Sequence, residues 1–224
     1  MIITIDGPAG GGKSTAARLL ARKLGASFLD TGAMYRAVTL AAMQAGVDLS
    51  DEDKLLGIME TSEFQFSVTD DEMVVSIDGL DVTELIRSPL VTAKARHIAS
   101  SPKVREKLVE MQRRFAATRQ KIVTEGRDQG TVAFPDADIK FYLTADSAVR
   151  AGRRQADLRA KGVDQTLEQI QKAIEERDKS DESRAVGPLR PAEDAVIIDT
   201  TDLSIDGVVE KLLNFVKEKC LEKN

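Results

Sequence analysis

Residues 2–14, Ile2-Ile3-Thr4-Ile5-Asp6-Gly7-Pro8-Ala9-Gly10-Gly11-Gly12-Lys13-Ser14, decide how the rest of the chain is read. A short apolar run breaks into a glycine-rich turn, and an amphipathic stretch, STAARLLARKLG (14–25), follows. The turn fits G-x-x-x-x-G-K-[ST], and it stands in the strand–turn–helix context that gives that pattern meaning. Phosphate needs converging backbone N–H donors, and glycines let the main chain come close to it. The helix start adds unpaired N–H groups and the positive end of its dipole. Gly7, Pro8, Ala9, Gly10, Gly11, Gly12, Lys13, Ser14 and Thr15 are therefore the expected cradle for a nucleoside triphosphate. Lys13 is expected at the β- and γ-phosphates, with Ser14 as a Mg²⁺ ligand. A dinucleotide fingerprint is disfavoured, because G-x-G-x-x-G does not use a lysine followed by a hydroxyl.

Working outward, apolar runs at 2–6, 27–30, 121–124, 139–143 and 195–199 read as strands, mostly without polar alternation. That is how strands covered on both faces look. Helical patterns lie between them. Ile205, Val208, Val209, Leu212, Leu213 and Val216 keep helical spacing after a Ser204 cap. Ser101 and Pro102 suit an N-cap and first turn, and Thr166 with Gln169 has capping-box spacing. Strands alternating with helices predict an α/β fold with a five-stranded parallel sheet. One stretch breaks the rhythm: FQFSV and MVVSI within 63–86, joined by TDDE and followed by DGLD, predict an antiparallel hairpin or small meander inserted into the core.

With 224 residues the chain fits one domain, or a core with one modest insertion. The net charge of −5 argues against a partner bound through overall positive charge, so no nucleic acid is expected. The single cysteine, Cys220, cannot form an internal disulfide, which fits a reducing compartment. The opening residues lack the charged and apolar regions of a leader, and no membrane-length apolar run follows. A cytoplasmic location without a membrane partner is the expectation.

A phosphate loop does not name the acceptor. Three clusters fall near strand or helix ends, where α/β sheets bind ligands. The first is LDTGAMYR (29–36), in which a helix start and Arg36 suit an anion and Tyr35 offers packing or a hydrogen bond; a capped helix with a solvated arginine reads equally well. The second is TEGRDQG (124–130), in which Arg127 can grip phosphate bidentately and Asp128 can accept from a sugar or base. The third is ERDKSDESR (176–184), which alone is a solvated helix end. Together with Arg150, Arg153 and Arg154 in VRAGRRQ it could bracket a helical hairpin, 147–184, closing over the phosphates to exclude water.

GPAGGGKST, LDTGAMYR, TEGRDQGTVAFPDADIKFYLTA, RAGRRQ and RAVGPLRPAEDAVIIDTT together resemble bacterial cytidylate kinases along nearly the whole chain. The resemblance implies a nucleoside-monophosphate-kinase fold: core 1–32, 119–146 and 185–224; a monophosphate-binding insert 33–118 that includes the β segment 63–86; and a lid 147–184. It implies ATP, with Mg²⁺, as donor and CMP or dCMP as acceptor, in a monomer. The CMP contacts it implies are Thr31, Tyr35, Arg36, Arg105, Arg127, Asp128, Arg177, Asp181 and Arg184. Asp128 and Asp181 match pentose-binding residues, Arg36 and Arg127 match acceptor-phosphate arginines, and Arg177 and Arg184 lie near the transferring group. Lys13, Arg127, Asp128, Arg177 and Arg184 form the implied catalytic set, and Arg150 and Arg154 join the ATP contacts. Some positions depart from the family pattern: Arg96 stands where many relatives carry a serine near the cytosine edge, Thr31 replaces a serine found in some, and Ser180 and Glu182 fall in a lid stretch that is often more arginine-rich.

The chemistry expected is direct in-line transfer. An acceptor phosphate is already an anionic nucleophile, so no general base is needed, and His97 reads as a surface or packing residue. No zinc ligand set is present. The rival readings are a kinase for another monophosphate or small acid, and a P-loop ATPase or switch. Against the switch stands the lack of a guanine-reading N-K-x-D.

Overall fold

The computed structural model describes residues 1–160 and 162–222. In chain order the strands and helices are β1 (Ile2–Asp6), α1 (Lys13–Leu24), β2 (Ser27–Asp30), α2 (Thr31–Gln44) and α3 (Glu52–Thr61). Next come β3 (Phe64–Thr69), β4 (Glu72–Ile77), β5 (Leu80–Asp81), α4 (Pro89–Ser100) and α5 (Pro102–Ala117). The chain continues with β6 (Ile122–Glu125), β7 (Ile139–Thr144), α6 (Ser147–Ala160), α7 (Leu167–Glu182), β8 (Val196–Asp199) and α8 (Ile205–Glu222). One five-stranded parallel sheet runs in the order β2-β6-β1-β7-β8, and a three-stranded antiparallel sheet in the order β3-β4-β5. The chain divides into two compact units: residues 1–26 with 123–224, and residues 27–122.

In the first unit β1 lies beside β7 with Ile3 opposite Ile139 and Asp6 opposite Tyr142, and β7 pairs in turn with β8. Ile3, Ile5, Phe141 and Leu143 are buried, as the unbroken apolar runs predict. The buried alanines and Leu20 of α1, and Val208, Val209, Leu212 and Val216 of α8, supply further core. Phe141 meets Phe215 edge to face, with centroids 5.5 Å apart. The strand β8 differs from the expectation: it starts one residue later and Ile197 is exposed. As the edge strand it needs cover on one face only, so alternation returns. The last helix begins as read, with Gly207 N–H donating to Ser204 Oγ at 3.2 Å.

The second unit holds the meander and four helices. Phe64 to Thr69 pair antiparallel with Ile77 to Glu72. The connecting residues Asp70 and Asp71 both have positive φ, and so do Asp78 and Gly79 between β4 and β5. Two-residue turns with both central residues left-handed match the right-handed twist of hairpin strands, and Asp, Asn and Gly tolerate them best. The TDDE and DGLD turns thus each reverse the chain, giving three strands where a hairpin was the minimum expected. Met73, Val75 and Ile77 point one face of β4 into the interior. Helix α3 was not marked by the sequence reading. Its start is capped by Asp51, whose carboxylate accepts from Lys54 N–H.

Candidate active site

In the first unit the glycine-rich loop runs from β1 into α1. Gly7 has φ +144°, and a Cβ there would stand 2.0 Å from the Leu143 carbonyl oxygen, so only glycine fits. The starts of α2, α3, α4, α5 and α7 are each capped by a side-chain oxygen, from Asp30, Asp51, Ser88, Ser101 and Thr166. The start of α1 is not: its N-cap is left-handed Gly12, with no side-chain hydrogen bond. First-turn N–H groups left without a side-chain cap are the donors an anion takes up.

Lys13 is buried and its Nζ donates to the Pro8 carbonyl at 2.7 Å. Burial, and then the nearby Arg127 guanidinium, lowers its pKa to about 7. Ser14 and Thr15 stay exposed at the start of α1. Ser14 Oγ donates to Glu125 Oε1 at 2.9 Å, joining the loop to the end of β6. A hydroxyl beside one buried carboxylate fits Mg²⁺, which takes few protein ligands and completes its shell with phosphate oxygens and water. Among the described residues no group of three or more His, Cys, Asp or Glu is gathered for a metal.

Beyond β6 the chain enters a π-helical turn, Gln129–Ala133. Asp6, at the end of β1, accepts from the N–H groups of Gln129 at 2.9 Å and Gly130 at 2.7 Å. Burial raises the Asp6 pKa to about 7 against those two bonds, and the Asp128 carboxylate adds to the rise. Asp128 is thereby held just ahead of the turn, itself buried.

Two arginines pair with one carboxylate, and two more lie within reach of their charges. Arg127 Nε donates to Asp181 Oδ2 at 2.8 Å, and Arg184 pairs with the other oxygen of the same group. Arg177 presents much of its surface to solvent. Even so, the protein packed around its guanidinium, followed by the Arg127 charge and then those of Arg184 and Arg154, pushes its pKa down to about 10. Asp181, which the family resemblance assigns to a pentose, is here the hub of the cluster, with both oxygens engaged by cations. Arg154 is exposed on α6. Arg150 and Arg153 are tied into the fold: Arg153 donates to the Thr200 and Leu203 carbonyls, and Arg150 to those of Ala145 and Ala9.

In the second unit Asp30 caps α2 through Ala33 N–H at 2.8 Å and pairs with Arg36 at 3.2 Å. Among the described residues the Arg36 Nε is buried without a hydrogen-bond partner. Arg105 is buried, stands over the Tyr35 ring at 5.7 Å and donates to the Ala99 carbonyl. Thr31 is buried at the first position of α2. Arg96 and His97 are exposed on α4.

Sequence reading left Asp6, Glu125 and Asp178 without roles. Asp178 accepts from the Ala9 N–H at 2.9 Å, inside the phosphate loop. Its signal was present: Ile170, Ile174, Asp178 and Asp181 share the buried face of α7, so two acids continue an apolar stripe. Charged residues are seldom fully buried unless paired.

Residues 3–218 match the family model described as cytidylate kinase. The chain is 46% identical over 222 residues to a cytidylate kinase of Stutzerimonas stutzeri, covering 98% of this chain and 96% of that one. It is 43% identical over 219 residues to a cytidylate kinase of Carboxydothermus hydrogenoformans, covering 98% of each. Among solved structures it is similar in fold to an uncharacterized protein from Eubacterium ventriosum, with a TM-score of 0.51 at 14% identity over 97% of this chain and 98% of that one.

Proposed function

The chain belongs to the cytidylate kinase family, and from that premise we propose that it transfers the terminal phosphoryl group of ATP to CMP or dCMP, giving ADP and CDP or dCDP. The observation that carries this reading is the helix start of α1, left without a side-chain cap beside a buried lysine. Residues 7–15 hold the donor phosphates, with Lys13 balancing charge on the β- and γ-phosphates. Bound at Ser14 with Glu125 beside it, Mg²⁺ would neutralise charge on the donor phosphates. Transition-state charge spreads over the equatorial phosphoryl oxygens, and we assign Arg127, Arg177 and Arg184 to meet it. Burial, and then the Arg127 charge, disfavours the Arg177 cation with Asp181 offsetting only part of it, which makes that position receptive to an anion.

For the acceptor we assign Arg36 and Arg127 to its phosphate, Asp128 and Asp181 to the pentose, and Thr31, Tyr35 and Arg105 to further contacts. The buried Nε of Arg36 supports its part in this, since an unsatisfied buried donor is costly until a ligand meets it. Asp181 can serve the pentose only by sharing oxygens now given to arginines. Residues 33–118 are read as the monophosphate-binding insert and 147–184 as the lid, with Arg154 on its donor side. Among the described residues no helix is long and apolar enough to cross a membrane. A cytoplasmic monomer is the state we propose.

Coupled ADP release with ATP and a panel of monophosphates tests the reading. Fast turnover with CMP and dCMP is the expected result. Preference for AMP or UMP would sink the cytidine assignment, and hydrolysis indifferent to acceptor would make the chain an ATPase.

A further inference from the structure

Ala9 and Gly10 occupy positions that the phosphate-loop pattern leaves open, yet they are the most heavily braced part of the loop. The Ala9 N–H donates to Asp178 Oδ1 at 2.9 Å. The Ala9 carbonyl accepts from Arg150 Nη1 at 2.8 Å. The same Nη1 donates to Asp178 Oδ2 at 2.5 Å, while Arg150 Nε donates to the Ala145 carbonyl at 3.0 Å. Both side chains are buried. Against Gly10, whose φ is +75°, an added Cβ would lie 3.2 Å from the Arg150 Cβ and carbonyl oxygen and 3.4 Å from Ile174 Cδ1. One residue of the loop is thus gripped at its N–H and its C=O, and the next is packed against α6 and α7.

Packing alone does not call for this pair. Burying a carboxylate and a guanidinium carries a desolvation cost that well-packed apolar residues avoid. What the ion pair adds is direction: two rigid groups, each bonded to the other and to the loop, fix the orientation of the Ala9 peptide units. Phosphate binding by main-chain donors depends on their being aimed before the ligand arrives, since reorganising them would subtract from affinity.

We propose that Asp178 and Arg150 are positioning residues for the donor nucleotide. They latch the phosphate loop in its binding shape through Ala9 and Gly10, and Arg150 acts on ATP through the loop rather than by contact. This rests on the reading of residues 7–15 as the ATP site. The base of the helical hairpin is then part of the loop's scaffold, leaving the end nearer the α6–α7 turn as the portion free to act as a cover.

The test is calorimetric binding of a non-hydrolysable ATP analogue with Mg²⁺, and separately of CMP, to the full chain and to D178A, R150M and the double variant, with melting temperatures as fold controls. Each single variant should weaken the ATP analogue about tenfold or more while CMP affinity stays within about twofold. The double variant should bind no more weakly than the worse single one, because both act through Ala9. Asp178→Asn, which keeps an acceptor for the Ala9 N–H, should regain part of the loss. Unchanged ATP affinity in folded D178A, equal losses for ATP and CMP, or losses that multiply in the double variant would each overturn the proposal. Should D178A fail to fold, Arg150→Lys decides: it keeps the charge but cannot span three acceptors, so undiminished ATP binding there rejects the latch. If the parent chain binds no ATP analogue, the donor-site reading itself fails, and the latch with it.

Discussion

Lys13 illustrates how burial sets chemistry at a single side chain. Its ammonium donates to the Pro8 carbonyl and lies near the Arg127 guanidinium. With the pKa lowered to about 7, chiefly by burial, the free enzyme gives up this proton as pH rises above neutrality. Triphosphate restores a strong preference for the charged form, because an opposite charge close by favours it. The sign follows: above about pH 7 ATP binding draws in a proton, and affinity falls with pH until the lysine of the complex also titrates. Calorimetry at pH 8 in two buffers of different ionisation enthalpy should show net proton uptake, and Lys13→Met should lose it. Equal enthalpies in both buffers, after correction for ATP's own titration, would remove this account. Glu125 belongs at the same scale, since its bond to Ser14 orients the hydroxyl that we assign to Mg²⁺.

At the scale of elements, α7 combines a locally encoded start with a globally determined face. Thr166 and Gln169 bond reciprocally to each other's backbone, a full capping box. Thr166→Ala should therefore cost about 1 kcal/mol, lowering the melting temperature by roughly 2–4 °C; a differential scan measures it, and no shift would mean the cap contributes nothing. That start was legible because its partners lie three residues apart, and the P-loop was legible for the same reason. The five core strands were found to within a residue or so, since an apolar run between turns needs no distant partner to be recognised. Asp178 was not legible in role, because the loop it holds is 169 residues away. Glu125 likewise meets Ser14 across 111 residues. The π-helical turn at Gln129–Ala133 escaped for a related reason: its bend depends on Asp6, a residue of another strand, gathering two N–H groups. Spacing conveys period and caps, while long-range acceptors emerge only once the chain is folded.

For the whole molecule, the division into two units makes ligand effects separable. A ligand that binds only the native form stabilises it by mass action, about 2.7 kcal/mol at a hundredfold excess over Kd. Hydrogen exchange should report where that stabilisation falls. Adding ATP with Mg²⁺ is expected to slow exchange within residues 7–15 and around Ala145, Arg150 and Asp178, and to leave the β3-β4-β5 sheet unchanged. Slowing confined to residues 27–122 would contradict the placement of the donor site. The acid-rich surface implied by a net charge of −5 leaves a clustered arginine group as a local exception, so that binding of ATP and CMP should weaken with added salt.

The pairing of β1 with β7 has a consequence for how the protein comes into being. The stretch that makes the phosphate loop is made before the rest of the fold, but Ile3 to Asp6 must wait for β6 (Ile122–Glu125), more than a hundred residues later, for one neighbouring strand and for Ile139 to Tyr142 for the other. Residues 27–122 emerge in between with a compact set of contacts of their own. The donor site is therefore begun with the phosphate loop and completed only when Asp178, 169 residues later, arrives to engage Ala9. Until β6 and β7 have been made, the first strand is an apolar, unpaired segment, which is the condition under which nascent chains need protection from aggregation.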